Sequence, residues 1–126
     1  MKMLLLASAG GAIGAGTRYA ISAWFLAKGL TGFPWATLFI NVTGSALMGL
    51  TVGLLMARAE IPVELRVFLA TGVLGGYTTF SAFSLEIWQL FERGEAGLAA
   101  AYIGASVALS IAGLAGGLLV ARWIVS

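Results

Sequence analysis

Four apolar segments of membrane-crossing length, at about 3–27, 36–57, 65–91 and 97–122, fill nearly all of this 126-residue chain and leave three short polar connections between them. Nothing else in the sequence constrains the fold as strongly. A hydrocarbon core of about 30 Å is crossed by about 20 helical residues, so the length suffices for four spans and leaves no room for a soluble domain. A single domain over residues 1–126 is expected. With 60% hydrophobic and 10% charged residues, so small a body could not cover its apolar surface with polar groups in water. The expected fold class is therefore an all-α integral membrane protein, with the lipid bilayer as its solvent.

The punctuation agrees with four spans. Gly29 to Pro34 forms the first connection, Arg58 to Glu64 with Pro62 the second, and Glu92-Arg93-Gly94-Glu95 the third. Met1-Lys2 followed by Leu4-Leu5-Leu6 and Ala7-Ser8-Ala9 imitates a signal peptide, but the apolar run is short and continues past Gly10 and Gly11, as a first span would. Glycines recur four apart, as Gly10/Gly14, Gly49/Gly53, Gly72/Gly76 and Gly113/Gly117, the spacing that lets membrane helices approach closely.

Cysteine and histidine are both absent, which removes thiol and disulfide chemistry, imidazole acid–base work and the usual transition-metal ligands. An enzyme is not expected. The net charge of +2 comes from scattered Lys and Arg, with no basic run that would point to nucleic acid. With four spans, Lys2, Arg58, Arg66 and Arg122 face one compartment and Lys28 and Arg93 the other. Orientation follows such charges, and a bias this thin fits either dual topology or a single orientation with both termini inside.

The third segment contains Gly75-Gly76-Tyr77-Thr78-Thr79-Phe80-Ser81-Ala82-Phe83-Ser84, a helix-weakening glycine pair and five hydroxyls in an apolar context. Interrupted helices survive in hydrocarbon only where protein, water or an ion satisfies the freed backbone. We expect the helix to be broken near Gly75–Thr79, at an ion site. Polar groups elsewhere fall into stripes: Thr37, Asn41 and Ser45 on the second segment, and Tyr102, Ser106 and Ser110 on the fourth, each spaced by one turn. An interhelical hydrogen bond would account for Asn41 alone, and Ser or Thr in membrane helices usually bonds back to its own helix. Stacked stripes of donors point instead to a path. Asn amide N–H, hydroxyls, Arg18 in the first segment and the positive ring edges of Phe80 and Phe83 would favour an anion. Arg18 costs about 2.5–3.5 kcal/mol at mid-bilayer, less if it snorkels, and such residues are often functional.

These residues resemble the Fluc (CrcB-type) fluoride channels over nearly the full length. The matching stretches are Gly10-Gly11-x-x-Gly14 with Arg18-Tyr19, Pro34-Trp35-Ala36-Thr37-Leu38 leading to Asn41-x-x-Gly44-Ser45, and Thr71-Gly72-x-x-Gly75-Gly76-x-Thr78-Thr79-Phe80-Ser81-x-Phe83-Ser84. The resemblance implies an antiparallel, dual-topology homodimer in a bacterial inner membrane, with two fluoride pores and a central structural sodium ion. It further implies that Asn41, Phe80, Phe83 and Tyr102 coordinate fluoride, with Ser106 and Ser110 as a polar track and Thr79 and Ser81 beside the pore. Arg18 and Glu86 would stand at vestibules, and Gly75 and Thr78 would lend backbone carbonyls to sodium. Two positions depart from the family pattern. Ala82 stands where a threonine is common, removing one hydroxyl, and Ala36 where glycine is frequent. Small four-span multidrug transporters share this size, but they depend on a carboxylate in the first span, where this chain has Arg18 and no acid. A purely structural subunit would need neither aligned donors nor a break.

Overall fold

The computed structural model describes residues 1–58 and 60–126 and is all-helical. The elements are α1 (Lys2–Ala27), α2 (Trp35–Met56), α3 (Val63–Arg66), a π-helical stretch (Val67–Leu74), α4 (Gly75–Tyr77), α5 (Phe80–Glu92) and α6 (Ala96–Val125). From α3 through α4 the backbone is one continuous helix, wound wider by one residue per turn in its π stretch. It stops at Thr78 and Thr79, both extended (ψ 156° and 120°), and α5 then starts afresh.

The break thus falls inside the expected interval, yet its cause differs from expectation. Gly75 and Gly76 are helical. What Gly76 provides is proximity: a Cβ there would lie 2.6 Å from the Gly11 carbonyl oxygen. Gly72 faces Gly10 in the same way, and a Cβ at Gly14 would run into the Val73 carbonyl. The first half of the third segment therefore rests backbone against backbone on α1.

A second pair, α2 with α6, is built on the same device. Cβ atoms at Gly49 and Gly117 would collide with the Leu114 and Ala46 carbonyls, and one at Gly53 would press on Ala121. All four of the glycine pairs spaced by one turn lie in helix contacts, where close approach replaces the hydrophobic drive that lipid does not supply. Helix α5 is joined differently, through a cluster of Phe83, Leu90, Ala99 and Tyr102 flanked by Phe33, Leu38 and Ile87.

Among the described residues, three helical units are long and apolar enough to cross a membrane: Trp35–Met56, Val63–Glu92 taken through its break, and Ala96–Val125. Helix α1 has 26 residues, about 39 Å of rise, but Ser8, four glycines, Thr17 and Arg18 dilute its hydropathy. The same small residues permit its contact with the third segment.

Candidate functional site

The hydroxyls of the helices sort into two kinds. Ser8, Thr17, Thr43, Thr78 and Ser84 each donate to the carbonyl four residues earlier, at 2.7–3.0 Å. Such hydroxyls are already satisfied by their own helix. Thr37, Thr79, Tyr102 and Ser106 are not of this kind, and all four lie along one seam between α2, α5 and α6.

At the centre of the seam is Asn41. Its Nδ2 donates to the Thr79 carbonyl (3.0 Å) and its Oδ1 accepts from the Thr79 N–H (2.8 Å), so one side chain satisfies both backbone groups at the break. The Thr79 hydroxyl accepts from the Ala82 N–H (3.1 Å), capping α5. On the other side of the break, Arg18 Nε donates to the Gly76 carbonyl (3.2 Å), and the Tyr77 and Thr43 hydroxyls lie 2.9 Å apart.

A cavity of about 420 Å³ opens beside this clamp, and Asn41, Thr79, Phe80, Phe83, Ser106 and Ser110 all line it. Six of the residues singled out from sequence therefore meet in one place. Ser45 belongs to the same wall, and Val107, Ile111 and Leu114 make the remainder apolar. The Ser106 hydroxyl is buried without any hydrogen-bond partner in the protein. Such an orphan costs about 1–3 kcal/mol, so the cavity has an unfilled polar demand. Phe80 and Phe83 stand with ring centroids 5.5 Å apart, Phe83 buried and Phe80 78% exposed.

Beyond Phe83 the seam continues. Phe83 and Phe33 both meet the Tyr102 ring edge-on, at 5.0 and 5.4 Å, forming an aromatic septum. Tyr102 is fully buried and its hydroxyl donates to Glu86 Oε2 (2.9 Å), while the Thr37 hydroxyl donates to Glu86 Oε1 (2.6 Å). Glu86 and Thr37 line a second cavity of about 400 Å³, with Gln89 and Arg93 at its polar rim. The resemblance implied a vestibule position for Glu86; its tie to both neighbouring helices depends on rotation about the helix axis, which hydropathy does not report.

The other expected site residues, Thr78 excepted, lie outside these cavities. Ser81 is exposed, 3.2 Å from the Thr79 hydroxyl. Arg18 is half-buried on the far side of the break. Gly75 and Thr78 are adjacent to the clamp, Thr78 in the cavity wall. Among the described residues no group of three or more Asp, Glu, His or Cys is placed to hold a metal ion.

The main cavity offers neutral donors and ring edges, groups that can stabilise an anion. Comparison with known proteins points the same way. Residues 5–118 match the family described as CrcB-like protein, Camphor Resistance (CrcB). The chain is 50% identical to the fluoride-specific ion channel FluC of Rhodospirillum centenum over the full length of both. It is 49% identical to the protein of that name from Agrobacterium fabrum, over 97% of this chain and 98% of the relative, and 49% identical to that from Rhizobium meliloti, over 99% and 100%.

Proposed function

From the premise that the chain belongs to the CrcB family, a family of fluoride channels and not of enzymes, we propose that this multi-pass membrane protein conducts fluoride passively along the seam between the two cavities. The observation that carries this is the Ser106 hydroxyl, buried and unpartnered in the wall that also holds Asn41, Ser110 and the Phe80–Phe83 pair. A small, strongly hydrated anion needs donors to replace its water, and this wall supplies them. The Phe83–Tyr102–Phe33 septum is the narrow point between the cavities. Hydrogen fluoride crosses membranes unaided and dissociates inside, so an anion exit confers fluoride resistance.

The finer architecture has its own support. A phenylalanine 78% exposed at the lip of the main cavity fits closure of that cavity by a second copy, and the thin charge bias fits an antiparallel pair with two pores. Four spans follow if α1 crosses with the other three. For a structural sodium ion, Gly75 and Thr78 are suited as carbonyl ligands. In an unbroken helix their carbonyls would accept from the Thr79 and Ala82 amides, but those amides donate to Asn41 Oδ1 and Thr79 Oγ1. A bound cation would neutralise the carbonyl dipoles left at the break. Arg18 and Glu86 then stand at opposite margins of the path, and a bacterial inner membrane is the expected location.

The test is fluoride efflux from liposomes containing the purified protein, read with an electrode. Wild-type protein is expected to release fluoride with no pH gradient, and Ser106→Ala to slow release several-fold while raising thermal stability, because it removes a buried unsatisfied hydroxyl. Absence of wild-type efflux would sink the channel function. An obligatory proton gradient would make it an exchanger.

A further inference from the structure

We propose that Asn41 and Thr79 are positioning residues of the helix break: by capturing the Thr79 and Ala82 amides, they hold the Gly75 and Thr78 carbonyls open for a monovalent cation. A residue in the wall of the anion cavity thereby also sets the cation site. The inference rests on the channel function and architecture proposed above.

The hydrogen bonds make the logic explicit. A helix continuing through residue 79 would return the Thr79 N–H to the Gly75 carbonyl, and the Ala82 N–H to the Thr78 carbonyl. Both returns are diverted, the first by Asn41 Oδ1 at 2.8 Å and the second by Thr79 Oγ1 at 3.1 Å. Asn41 also donates to the Thr79 carbonyl at 3.0 Å, so that group makes no further demand. A side-chain amide offers a donor and an acceptor on adjacent atoms of one uncharged group, matched to the N–H and C=O of a single residue. Asparagine does here what a neighbouring strand would do.

Helix α2 is shaped for this grip along a full turn. Gly44 lets it approach, since a Cβ there would strike the Thr78 methyl, and the Thr43 hydroxyl meets that of Tyr77. Charge decides the kind of cation. The two carbonyls are neutral, Arg18 already donates to the intervening Gly76 carbonyl, and no acidic cluster stands nearby among the described residues. A divalent ion would meet repulsion with little anionic compensation.

The experiment measures thermal unfolding by tryptophan fluorescence in detergent, with sodium chloride titrated against N-methylglucamine chloride, beside fluoride efflux on the same preparations. Wild-type Tm is expected to rise with sodium. The sodium concentration giving half of that rise is expected to increase roughly tenfold in Asn41→Leu and in Thr79→Val, the scale of one lost hydrogen bond. Thr79→Ser, which keeps the hydroxyl, is expected to restore the wild-type midpoint. A merely structural role would lower Tm at every sodium concentration without moving the midpoint, and that result would overturn the proposal. So would a wild-type Tm indifferent to sodium in protein that conducts fluoride, an outcome that leaves the channel function standing. Should Asn41→Leu fail to fold, the Thr79→Val and Thr79→Ser pair decides by the same criterion.

Discussion

The two halves of the broken third segment are held by opposite means. Before the break, the π-helical stretch and α4 lie on α1 through Gly72, Gly76, Gly10 and Gly14, with backbone touching backbone. After it, α5 is attached through side chains: Phe83 against Tyr102, Glu86 between Thr37 and Tyr102, and Leu90 in the core. Backbone contact leaves no rotamer to adjust, whereas side-chain contact can open and refill. The first half is an anchor. The second carries the ring edges and the carboxylate that face the cavities, and Asn41 joins the two regimes at Thr79.

The sharpest way to break this contrast is to add one methyl group to each glycine of the pair. Gly76→Ala would drive a Cβ into the Gly11 backbone, with Gly11 Cα at 2.9 Å, and is expected to cost roughly 3 kcal/mol. At Gly75 the nearest atom is the Ala70 carbonyl oxygen at 3.5 Å, an ordinary contact, so Gly75→Ala is expected to be neutral or slightly stabilising. Thermal unfolding of the two proteins side by side checks this. Equal destabilisation would mean that backbone contact with α1 is not what distinguishes the anchor.

In the second half the aromatics divide by burial. Phe83→Ile removes an edge-on contact with Tyr102 and is expected to lower Tm together with fluoride flux, the latter about tenfold. Phe80 is mostly exposed on its own chain, so Phe80→Ile is expected to slow flux similarly with a smaller fall in Tm than Phe83→Ile. Normal conduction by both variants would make these rings packing residues. The smallest effect belongs to the Lys2–Glu64 pair at the entry to the anchor, 2.9 Å apart with 72% and 35% of the side chains exposed. Glu64→Gln is expected to leave Tm unchanged, since exposed ion pairs contribute little. A clear fall would show that the anchor depends on charge as well as on glycine.

How much of this was legible in the sequence follows from what each signal encodes. Hydropathy encodes depth, so the four segments and their connections were placed within a few residues. Turn spacing encodes a shared face, so Asn41 was set with Ser45 and Ser106 with Ser110, and these four line one cavity. Neither encodes rotation between helices. Glu86 was therefore visible only through the resemblance, as a vestibule acid, and its bonds to Thr37 and Tyr102 were not. The glycine pair was recognised as unusual but credited with breaking the helix, because Gly11, the partner that explains Gly76, lies 65 positions away. Asn41 was read as a donor to the path, and its clamp on Thr79 appears only once the break has a geometry. The widened turn at Val67–Leu74 had no sequence signal at all.

That widened turn stores one residue of slack. Removing one residue between 67 and 74 would let the stretch rewind as an ordinary α-helix, and about seven α-helical residues turn the chain nearly as far as the eight π-helical ones, so the residues after it would keep their facing toward α1. Gly76 would stay on Gly11 and Thr79 opposite Asn41, whereas a residue removed from α5, which has no wide turn, would rotate everything after it by about 100°. A one-residue change in the connection at 29–34 is absorbed by surface backbone. Insertions and deletions that survive among descendants of this chain are therefore expected in its connections and, inside the third segment, as single-residue deletions confined to the eight residues of the π-helical stretch.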